Sequence, residues 1–317
     1  MSIALARPTA SRRLLGYLEL TKPRITLLVL MTAVPALLMA SASDAVAGGA
    51  PPARMLGILF GIALASGSAA AFNHYYDRDL DARMRRTARR PLPSGLLPPA
   101  HALLLGFALG AGAWGVLSVF GNRLAAALGI ASIVYYAVIY TVWLKRRTPQ
   151  NIVIGGGAGA SAPLIAWAAL TGRIEPAAVL MAAIVFLWTP PHFWSLALYR
   201  REDYERAGLP MLPVTHGEEE TRRQIVLYTL VLVPVTLALV PLGVAGAVYG
   251  VPAALLGAAF IALALRVRRT GQVPHAVRMF RYSIVYLFAL FACLTADAAL
   301  RAAQHAATLA ALVRGGR

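Results

Sequence analysis

The stretch Asn73-His74-Tyr75-Tyr76-Asp77-Arg78-Asp79-Leu80-Asp81 follows directly on an apolar run from Met55 to Phe72. The run approaches the ~20 residues that a helix needs to cross a bilayer, so it predicts a transmembrane helix with an amide and three carboxylates at the membrane edge. Acidic side chains beside lipid are costly and mark functional sites in membrane chains by default. The sequence therefore predicts a site at this end of the helix.

The spacing of these polar residues indicates what the site binds. At about 100° per residue, Asn73, Asp77 and Asp81 share one helix face and Asp79 points roughly the other way. Two carboxylates and an amide oxygen form the oxygen-only surface that suits Mg²⁺, which binds through one or two carboxylates plus substrate phosphates. The alternative is a solvated helix end, whose acids merely pair with neighbouring arginines: Arg78, Arg83 and Arg85.

Composition and hydropathy indicate an all-α membrane protein. The chain has 317 residues, of which 59% are hydrophobic, and its mean hydropathy is +0.65. Stretches long enough to cross a bilayer recur along its whole length, and they predict nine crossings. The expected spans are 25–42, 55–74, 101–120, 124–143, 151–171, 177–198, 225–243, 247–265 and 282–300. We expect one domain over residues 1–317, with a core at about 20–303 and mobile ends at 1–20 and 304–317.

Charge placement predicts the orientation, since short cytoplasmic loops are enriched in Lys and Arg. The basic segments fall on one side of the nine spans: the N-terminus (Arg7, Arg12, Arg13, Lys22, Arg24), Arg83 to Arg90, Lys145 to Arg147, 199–224 and Arg266 to Arg281. We therefore expect a multi-pass protein of the cell inner membrane with a cytoplasmic N-terminus and an external C-terminus. Topology and anionic lipid account for the net charge of +17, so nucleic-acid binding is not expected. No removable signal peptide is expected either.

Two further basic and acidic segments favour diphosphate binding. Arginine forks match phosphate oxygens, so Arg85 and Arg86 behind the first acids are candidate phosphate ligands, and Lys145 with Arg146 can approach from a third direction. Each basic segment is open to a second interpretation as a topology anchor. In the 199–224 loop, Asp203 is a candidate ligand for a second Mg²⁺ that bridges the same diphosphate.

A third constellation is Trp188-Thr189-Pro190-Pro191-His192-Phe193-Trp194. Paired prolines are expected to break a membrane helix where its backbone lines a cavity. His192, just past that break, either binds a ligand or only packs. The run Gly155-Gly156-Gly157-Ala158-Gly159-Ala160 is better explained by close helix packing than by nucleotide binding. Cys293 stands alone in the chain, which excludes a disulfide framework or a thiolate metal site.

These motifs resemble the UbiA-type intramembrane prenyltransferases, and within them the branch that farnesylates protohaem IX. The resemblance covers nearly the whole core and is carried by four segments: Leu20-Thr21-Lys22-Pro23-Arg24, Asn73 to Asp81 with Met84-Arg85-Arg86-Thr87, Lys145-Arg146-Arg147-Thr148-Pro149-Gln150-Asn151, and Trp188 to Trp194 continuing through Asp203-Tyr204 to Gly208-Leu209-Pro210-Met211-Leu212-Pro213-Val214. Two positions depart from the wider family. Tyr199 replaces the first acid of its D-x3-D motif, and Tyr140 stands five residues before Lys145 instead of four, which leaves the role of Tyr140 open.

The resemblance implies a nine-helix bundle with a lateral cavity and a Mg²⁺-dependent transfer of farnesyl from farnesyl diphosphate to a haem vinyl group. Implied metal ligands are Asn73, Asp77, Asp81 and Asp203. Implied catalytic residues are Asp77, Asp81, Asp203 and Lys145, and implied substrate-binding residues are Asn73, Arg85, Arg86, Arg146, His192 and Tyr204. Membrane lipid and a downstream haem-modifying enzyme are expected partners.

Two other functions stay open on the sequence alone. A related prenyltransferase that acts on a quinone precursor would share the first acidic cluster but not the run around His192. A haem or ion transporter would also carry intramembrane charge and broken helices, although its site is expected near the midplane of the membrane and not at the edge.

Overall fold

Every regular element that the computed structural model describes, over residues 9–315, is helical. The helices are α1 (Ala10–Leu20), α2 (Pro23–Ser41), α3 (Pro52–Arg83), α4 (Pro99–Phe120), α5 (Arg123–Val134) with a π-helical continuation (Tyr135–Leu144), α6 (Asn151–Gly159), α7 (Ser161–Thr171), α8 (Pro176–Tyr199), α9 (Arg201–Arg206), α10 (Leu212–Thr215), α11 (Gly217–Leu237), α12 (Ala247–Thr270) and α13 (Val273–Gly315). The predicted all-α class is confirmed. Of the expected mobile ends, Ala10–Leu20 forms a helix, whereas 1–8 and 316–317, with Arg7, lie outside the described residues.

Eight helical segments in the described range are long and apolar enough to cross a membrane. The predicted count of nine is not confirmed. The seventh crossing was expected at 225–243, where the structure has α11, and this helix starts eight residues earlier with Glu218, Glu219 and Glu220 in its first turn. Because of these charges, α11 has no apolar stretch long enough to cross a membrane. Its later residues Leu232 and Thr236 are nevertheless fully buried.

Small residues bring α3 and α4 into close contact. A Cβ on Gly61 would lie 2.7 Å from Cγ of Leu117, and one on Gly106 would lie 2.9 Å from the ring of Phe72. The hydroxyl of Ser68 donates to the carbonyl of Gly106 at 2.7 Å. Glycines that admit a neighbouring side chain, together with cross-helix hydroxyl bonds, are typical of packing in membranes, where apolar side chains gain little by leaving lipid.

The helix α8 continues through Pro190 and Pro191, so the predicted break at this point was wrong. Each proline removes one backbone donor, but hydroxyls within α8 contact its carbonyls. Thr189 Oγ1 donates to Val185 O at 2.9 Å, and Ser195 Oγ donates to Pro191 O at 2.6 Å. These bonds reach neighbouring carbonyls and not those of Phe186 and Leu187, which the prolines leave without an N–H partner. Membrane helices tolerate prolines where protein surrounds them, and Pro190 and Pro191 are both buried.

The π-helical segment changes the register at the end of the fourth span. The backbone N–H of Lys145 donates to Tyr140 O at 2.9 Å, five residues earlier, and Thr141 Oγ1 donates to Tyr136 O at 2.8 Å. Bonds of this i→i+5 type define a π-helix, which often occurs at functional sites. Tyr140 and Lys145 therefore lie one wide turn apart on the same side of the helix, which accounts for the unusual spacing of the two residues.

We predict that an added methyl group lowers the stability of the protein at one glycine of the α3–α4 pair and does not lower it at another. Gly61→Ala should lower the free energy of unfolding by about 1–3 kcal/mol, because the methyl group meets Leu117. Gly115→Ala should not lower it, since a Cβ at Gly115 meets nothing within 4 Å and alanine favours the helix. Thermal unfolding in detergent measures both. Equal destabilisation by the two variants would contradict the packing described.

Candidate functional site

The carboxylate of Asp77 lies at the centre of a buried polar network. Its Oδ2 accepts from Nζ of Lys145 at 2.5 Å and from Nδ2 of Asn73 at 2.7 Å. Asn73 also donates to Oγ1 of Thr141 at 3.0 Å. The prediction that Asn73, Asp77 and Asp81 share a face is confirmed, because all three are 2% exposed or less and the side chain of Asp79 is 68% exposed.

Lys22 approaches the same network from the start of α2. Its Nζ donates to Oδ1 of Asn73 at 2.5 Å, and its backbone is left-handed, with φ +49°. A non-glycine residue in this region is strained and is often found at functional sites. Desolvation, followed by repulsion from Arg90 and Lys145, lowers the pKa of Lys22 to about 7 despite the opposing effect of nearby Asp77. Several cations therefore surround the two buried carboxylates.

Asp81 is paired with a different arginine from those singled out in the sequence. Nη1 of Arg90 donates to its Oδ2 at 2.8 Å, and Thr87 Oγ1 donates to its backbone carbonyl at 2.9 Å. The segment after α3 thus folds back over the end of the helix. Of the two predicted phosphate ligands, Arg86 lies 3.4 Å from the hydroxyl of Tyr204, and Arg85 is exposed.

The structure brings Tyr204 to Arg86, which follows the first acidic cluster, and pairs Asp203 within its own loop. Tyr204 is buried and Arg86 lies against its ring. Asp203 instead lies between Arg200 and Arg206, at 3.8 and 3.7 Å, in ion pairs of its own loop. Among the described side chains, which are those of 9–304 and 307, no three His, Cys, Asp or Glu form a group able to hold a metal. The convergence of Asp203 on a metal held by Asp77 and Asp81 stays a prediction.

The remaining predicted residues occupy separate positions. Arg146 donates to the carbonyl of Tyr76 at 2.8 Å, on the outer side of α3. His192 is buried in α8, where its Nδ1 lies 2.7 Å from Oγ of Ser283. The prediction that the glycine-rich run serves close packing is confirmed, because a Cβ on Gly155 would lie 2.3 Å from the ring of Tyr140.

Two adjoining cavities lie within the bundle, and one of them reaches the polar network. The tail cavity, of about 100 Å³, begins at Lys22 and runs between apolar and small residues that include Ile62, Ala65 and Ile165. The His192 cavity, of about 220 Å³, is lined by Tyr140, Trp188 and His192 among other residues. The two share a wall made of Ile25, Val29, Tyr136 and Gly159. The site therefore combines a charged end with apolar space on both sides of one wall.

The donor set at the charged end fits a hard divalent cation. Oδ1 of Asp77 is buried and has no hydrogen-bond partner among the described residues, and an unpaired carboxylate oxygen is costly unless a ligand satisfies it. Asn73 Oδ1 and the Asp81 carboxylate supply further oxygens from the same helix face. Carboxylate, amide and phosphate oxygens are what Mg²⁺ prefers, so Asn73, Asp77 and Asp81 would hold it.

Three residues of the network were not predicted as site residues. Lys22 belongs to a quoted motif, and its place immediately before Pro23 was the available signal, since a proline restricts the backbone of the preceding residue. Arg90 was one of several arginines, and spacing alone does not indicate which of them turns back to Asp81. Thr141 is a single hydroxyl in an apolar span, and only the structure shows its bond to Asn73.

A lipid-spanning helical bundle with buried acids and cations at one edge is the arrangement of an intramembrane prenyltransferase. Residues 29–308 match the UbiA prenyltransferase family. The chain belongs to this family, and it is therefore a multi-pass membrane enzyme of the prenyltransferase class.

Relatives named "Protoheme IX farnesyltransferase" are similar over most of their length. The one from Symbiobacterium thermophilum is 48% identical over 284 residues, which are 89% of this chain and 93% of that protein. The one from Azorhizobium caulinodans is 50% identical over 289 residues, covering 90% of this chain and 92% of that protein.

Solved structures share the fold at low sequence identity. A structure of digeranylgeranylglyceryl phosphate synthase gives a TM-score of 0.74 at 17% identity, covering 90% of this chain and 98% of that one. A UbiA homologue from Archaeoglobus fulgidus bound to GPP and Mg²⁺ gives 0.58 at 18% identity, covering 87% and 99%. These likenesses confirm the architecture predicted for the fold.

We predict that Arg90 and its neighbour Arg89 differ in their effect on stability. Arg90→Gln leaves the Asp81 carboxylate buried without its cation and should lower the free energy of unfolding by about 3 kcal/mol. Arg89→Gln removes the same charge from an exposed position and should change it little. Melting temperatures in detergent, with and without Mg²⁺, measure the difference. Added Mg²⁺ should stabilise the Arg90 variant more than the wild-type protein, and equal losses for both variants would contradict the pairing.

Proposed function

We propose that the protein transfers the farnesyl group of farnesyl diphosphate to a vinyl group of protohaem IX, giving haem O and diphosphate with the help of Mg²⁺. Membership of the family supports prenyl transfer, and the names of relatives about half identical to this chain support the substrates. The single observation that carries the proposal is the Asp77 network, whose Lys22 lines one of two adjoining apolar cavities.

The charged end of the site fits a diphosphate. Lys22, Lys145 and Arg90 surround the Asp77 and Asp81 carboxylates, so cations outnumber acids there. A polyanion with a divalent cation would restore the balance of charge. Lys22 and Lys145 are then free to donate to phosphate oxygens in place of Asn73 and Asp77, and preorganised donors of this kind stabilise charge that develops on a leaving group.

In the proposed reaction, the C–O bond of farnesyl diphosphate breaks and its electron pair leaves with diphosphate. The allylic carbon then forms a bond to the terminal carbon of a haem vinyl group, and water captures the remaining cation with loss of a proton. Mg²⁺ supplies charge neutralisation on the departing diphosphate. The residues of this chain hold the diphosphate, orient the two carbons and limit the access of water.

The two cavities suggest places for the two substrates. The tail cavity starts at Lys22 and is lined by alanine, serine and isoleucine, which suits an isoprenoid chain. The His192 cavity is lined by Tyr140, Trp188 and Phe193, a surface for a flat aromatic acceptor. Tyr136 and the other shared residues line both cavities. An acceptor in the His192 cavity would therefore lie beside the allylic carbon of an isoprenoid chain in the tail cavity.

The same proposal includes the cellular setting. The distribution of Lys and Arg supports the cell inner membrane with a cytoplasmic N-terminus and an external C-terminus. The apolar substrates support contact with membrane lipid and transfer of haem O to a downstream haem-modifying enzyme. The whole chain acts as one domain, and Asn73, Asp77 and Asp81 are its metal ligands, with Asp203 joining them only if its loop closes over a bound diphosphate.

We predict that Asp77→Asn lowers farnesyl transfer by about 100-fold or more, since the metal and Lys145 lose a buried charge. Asp79→Asn is the matched control, because Asp79 is exposed two residues away, and it should retain turnover. Purified protein with farnesyl diphosphate, Mg²⁺, haem and a quinone precursor is assayed by product mass. Full turnover of the Asp77 variant would contradict the diphosphate site. A farnesylated quinone precursor as the sole product, or no product at all, would favour the other prenyltransferase or a transporter.

A cavity at the end of α8 offers arginines to the acceptor's carboxylates. It has a volume of about 530 Å³ and is lined by Tyr199, by four arginines (Arg85, Arg200, Arg201 and Arg206) and by four acids (Glu202, Asp203, Glu205 and Glu218). Arg200, Arg201 and Arg206 form ion pairs with these acids. The ring of Tyr199 contacts Phe280, with centroids 5.8 Å apart, and Phe280 stacks on His192. Aromatic contacts thus connect this cavity to His192. Arginine is well suited to bind the two propionates of haem.

We predict that the double variant Arg85→Gln with Arg200→Gln loses discrimination between haem and its dimethyl ester. In the wild-type protein, haem should give a lower KM than the ester, because only free carboxylates pair with the arginines. The double variant should raise the KM for haem about 10-fold and leave that for the ester unchanged. Competition assays with both acceptors measure the ratio, and an unchanged preference in the variant would refute this role.

A further inference from the structure

His192 is held in one orientation by aromatic side chains on two helices. Its imidazole stacks on Trp188 in the preceding turn of α8, with ring centroids 4.3 Å apart, and on Phe280 of α13, 4.7 Å apart. The rings are within 18° and 25° of parallel, respectively. Phe193 meets the imidazole edge-on at 5.1 Å. The plane of the imidazole is therefore fixed by contacts that none of the steps above explains.

Ser283 fixes which ring nitrogen carries the proton. This serine is fully buried in α13, and its hydroxyl donates to Phe280 O at 2.7 Å. A hydroxyl has only one proton to donate, so its oxygen accepts the bond from Nδ1 of His192, at 2.7 Å. The carbonyl of Ser283 also accepts from Nε1 of Trp188, at 2.7 Å. One serine thus orients both members of the Trp188–His192 stack.

With its proton on Nδ1, a neutral imidazole has its lone pair on Nε2. Among the residues whose side chains the structure describes, 9–304 and 307, Nε2 of His192 has no hydrogen-bond partner. It is also absent from the unpaired polar atoms that are fully buried there. His192 lines the His192 cavity, so this nitrogen faces open space. A histidine that donates through one nitrogen to a fixed acceptor and presents the other is the arrangement of metal-binding histidines.

We infer that Nε2 of His192 binds the iron of the tetrapyrrole acceptor and that Ser283 is the residue that positions it. This inference rests on the proposed function and adds the ligand of the iron and the residue that controls its tautomer. Iron bound to His192 would place the macrocycle in the His192 cavity, whose lining also includes Tyr140. Tyr140 precedes Lys145 by one π-helical turn, so a vinyl group beside Tyr140 approaches the diphosphate site.

Spectroscopy of bound haem tests the inference without turnover. Full-length protein in detergent is titrated with protohaem IX in the absence of prenyl diphosphate, and absorption spectra and the iron–histidine stretch of the ferrous complex are recorded. His192→Ala should abolish the histidine signature, and added imidazole should restore it. Ser283→Ala should weaken haem affinity about 10- to 100-fold and lower the stretching frequency, because the bond from Nδ1 is lost.

Two controls separate ligation from folding. Ser195→Ala removes a buried hydroxyl of α8 that bonds only Pro191 O, and it should leave the spectrum and the haem affinity unchanged. Metal-free protoporphyrin IX has no iron to ligate, so His192→Ala and Ser283→Ala should bind it as the wild-type protein does. Loss of metal-free porphyrin binding that parallels the loss of haem binding would reveal a packing role and overturn the inference.

The outcomes also distinguish the inference from the function on which it rests. If the wild-type protein makes farnesylated haem but His192→Ala keeps an unaltered iron–histidine signature, iron ligation by His192 is refuted and the function stands. If the wild-type protein neither binds haem nor modifies it, both fail. A histidine signature that depends on His192 and shifts in Ser283→Ala supports the assignment of both residues.

Discussion

A carboxylate buried at the edge of a membrane needs a partner, and the rest of the site depends on how Asp77 obtains one. An unpaired charge at that depth would be strongly destabilising, and Asp77 is 1% exposed. Lys145 reaches it from the end of the fourth span and Asn73 from the preceding turn of α3. Lys22, in turn, binds Asn73 from a strained left-handed position. One acid thus ties the ends of three helices together.

The charges gathered around this acid exceed what it needs. Arg90 pairs with Asp81 and Lys145 with Asp77. Lys22 forms no ion pair among the described residues: its Nζ donates to the amide of Asn73 and lies 5.8 Å from the centre of the Tyr136 ring. Its lowered pKa is the electrostatic consequence of placing a further cation among like charges with little access to water. Such an excess of positive charge is unfavourable by itself and becomes favourable beside a polyanion. The charges of the network are therefore those that the proposed diphosphate would balance.

The sequence was most informative where helical periodicity decides the outcome. It correctly placed Asn73, Asp77 and Asp81 on a buried face and Asp79 outside, because that prediction needs only the geometry of one helix. It was wrong about the break at Pro190, because α8 stays continuous where the surrounding helices bury the two prolines. The choice of Arg90 and the π-helical register at Lys145 depend on tertiary contacts and a local change of hydrogen bonding, neither of which a residue pattern expresses.

The two ends of the site separate two requirements of the reaction. On the proposed function, the Asp77 network recognises the diphosphate headgroup. None of its residues lines the His192 cavity, and His192 is held by contacts between α8 and α13. Changes in the Trp188–Ser283 contacts would therefore alter which acceptor fits while leaving the diphosphate end intact. A quinone precursor has no use for the free nitrogen of His192, whereas a flat metal-containing acceptor does. On the proposed function, the choice of acceptor by this protein therefore follows from the α8–α13 pairing and not from the acidic cluster.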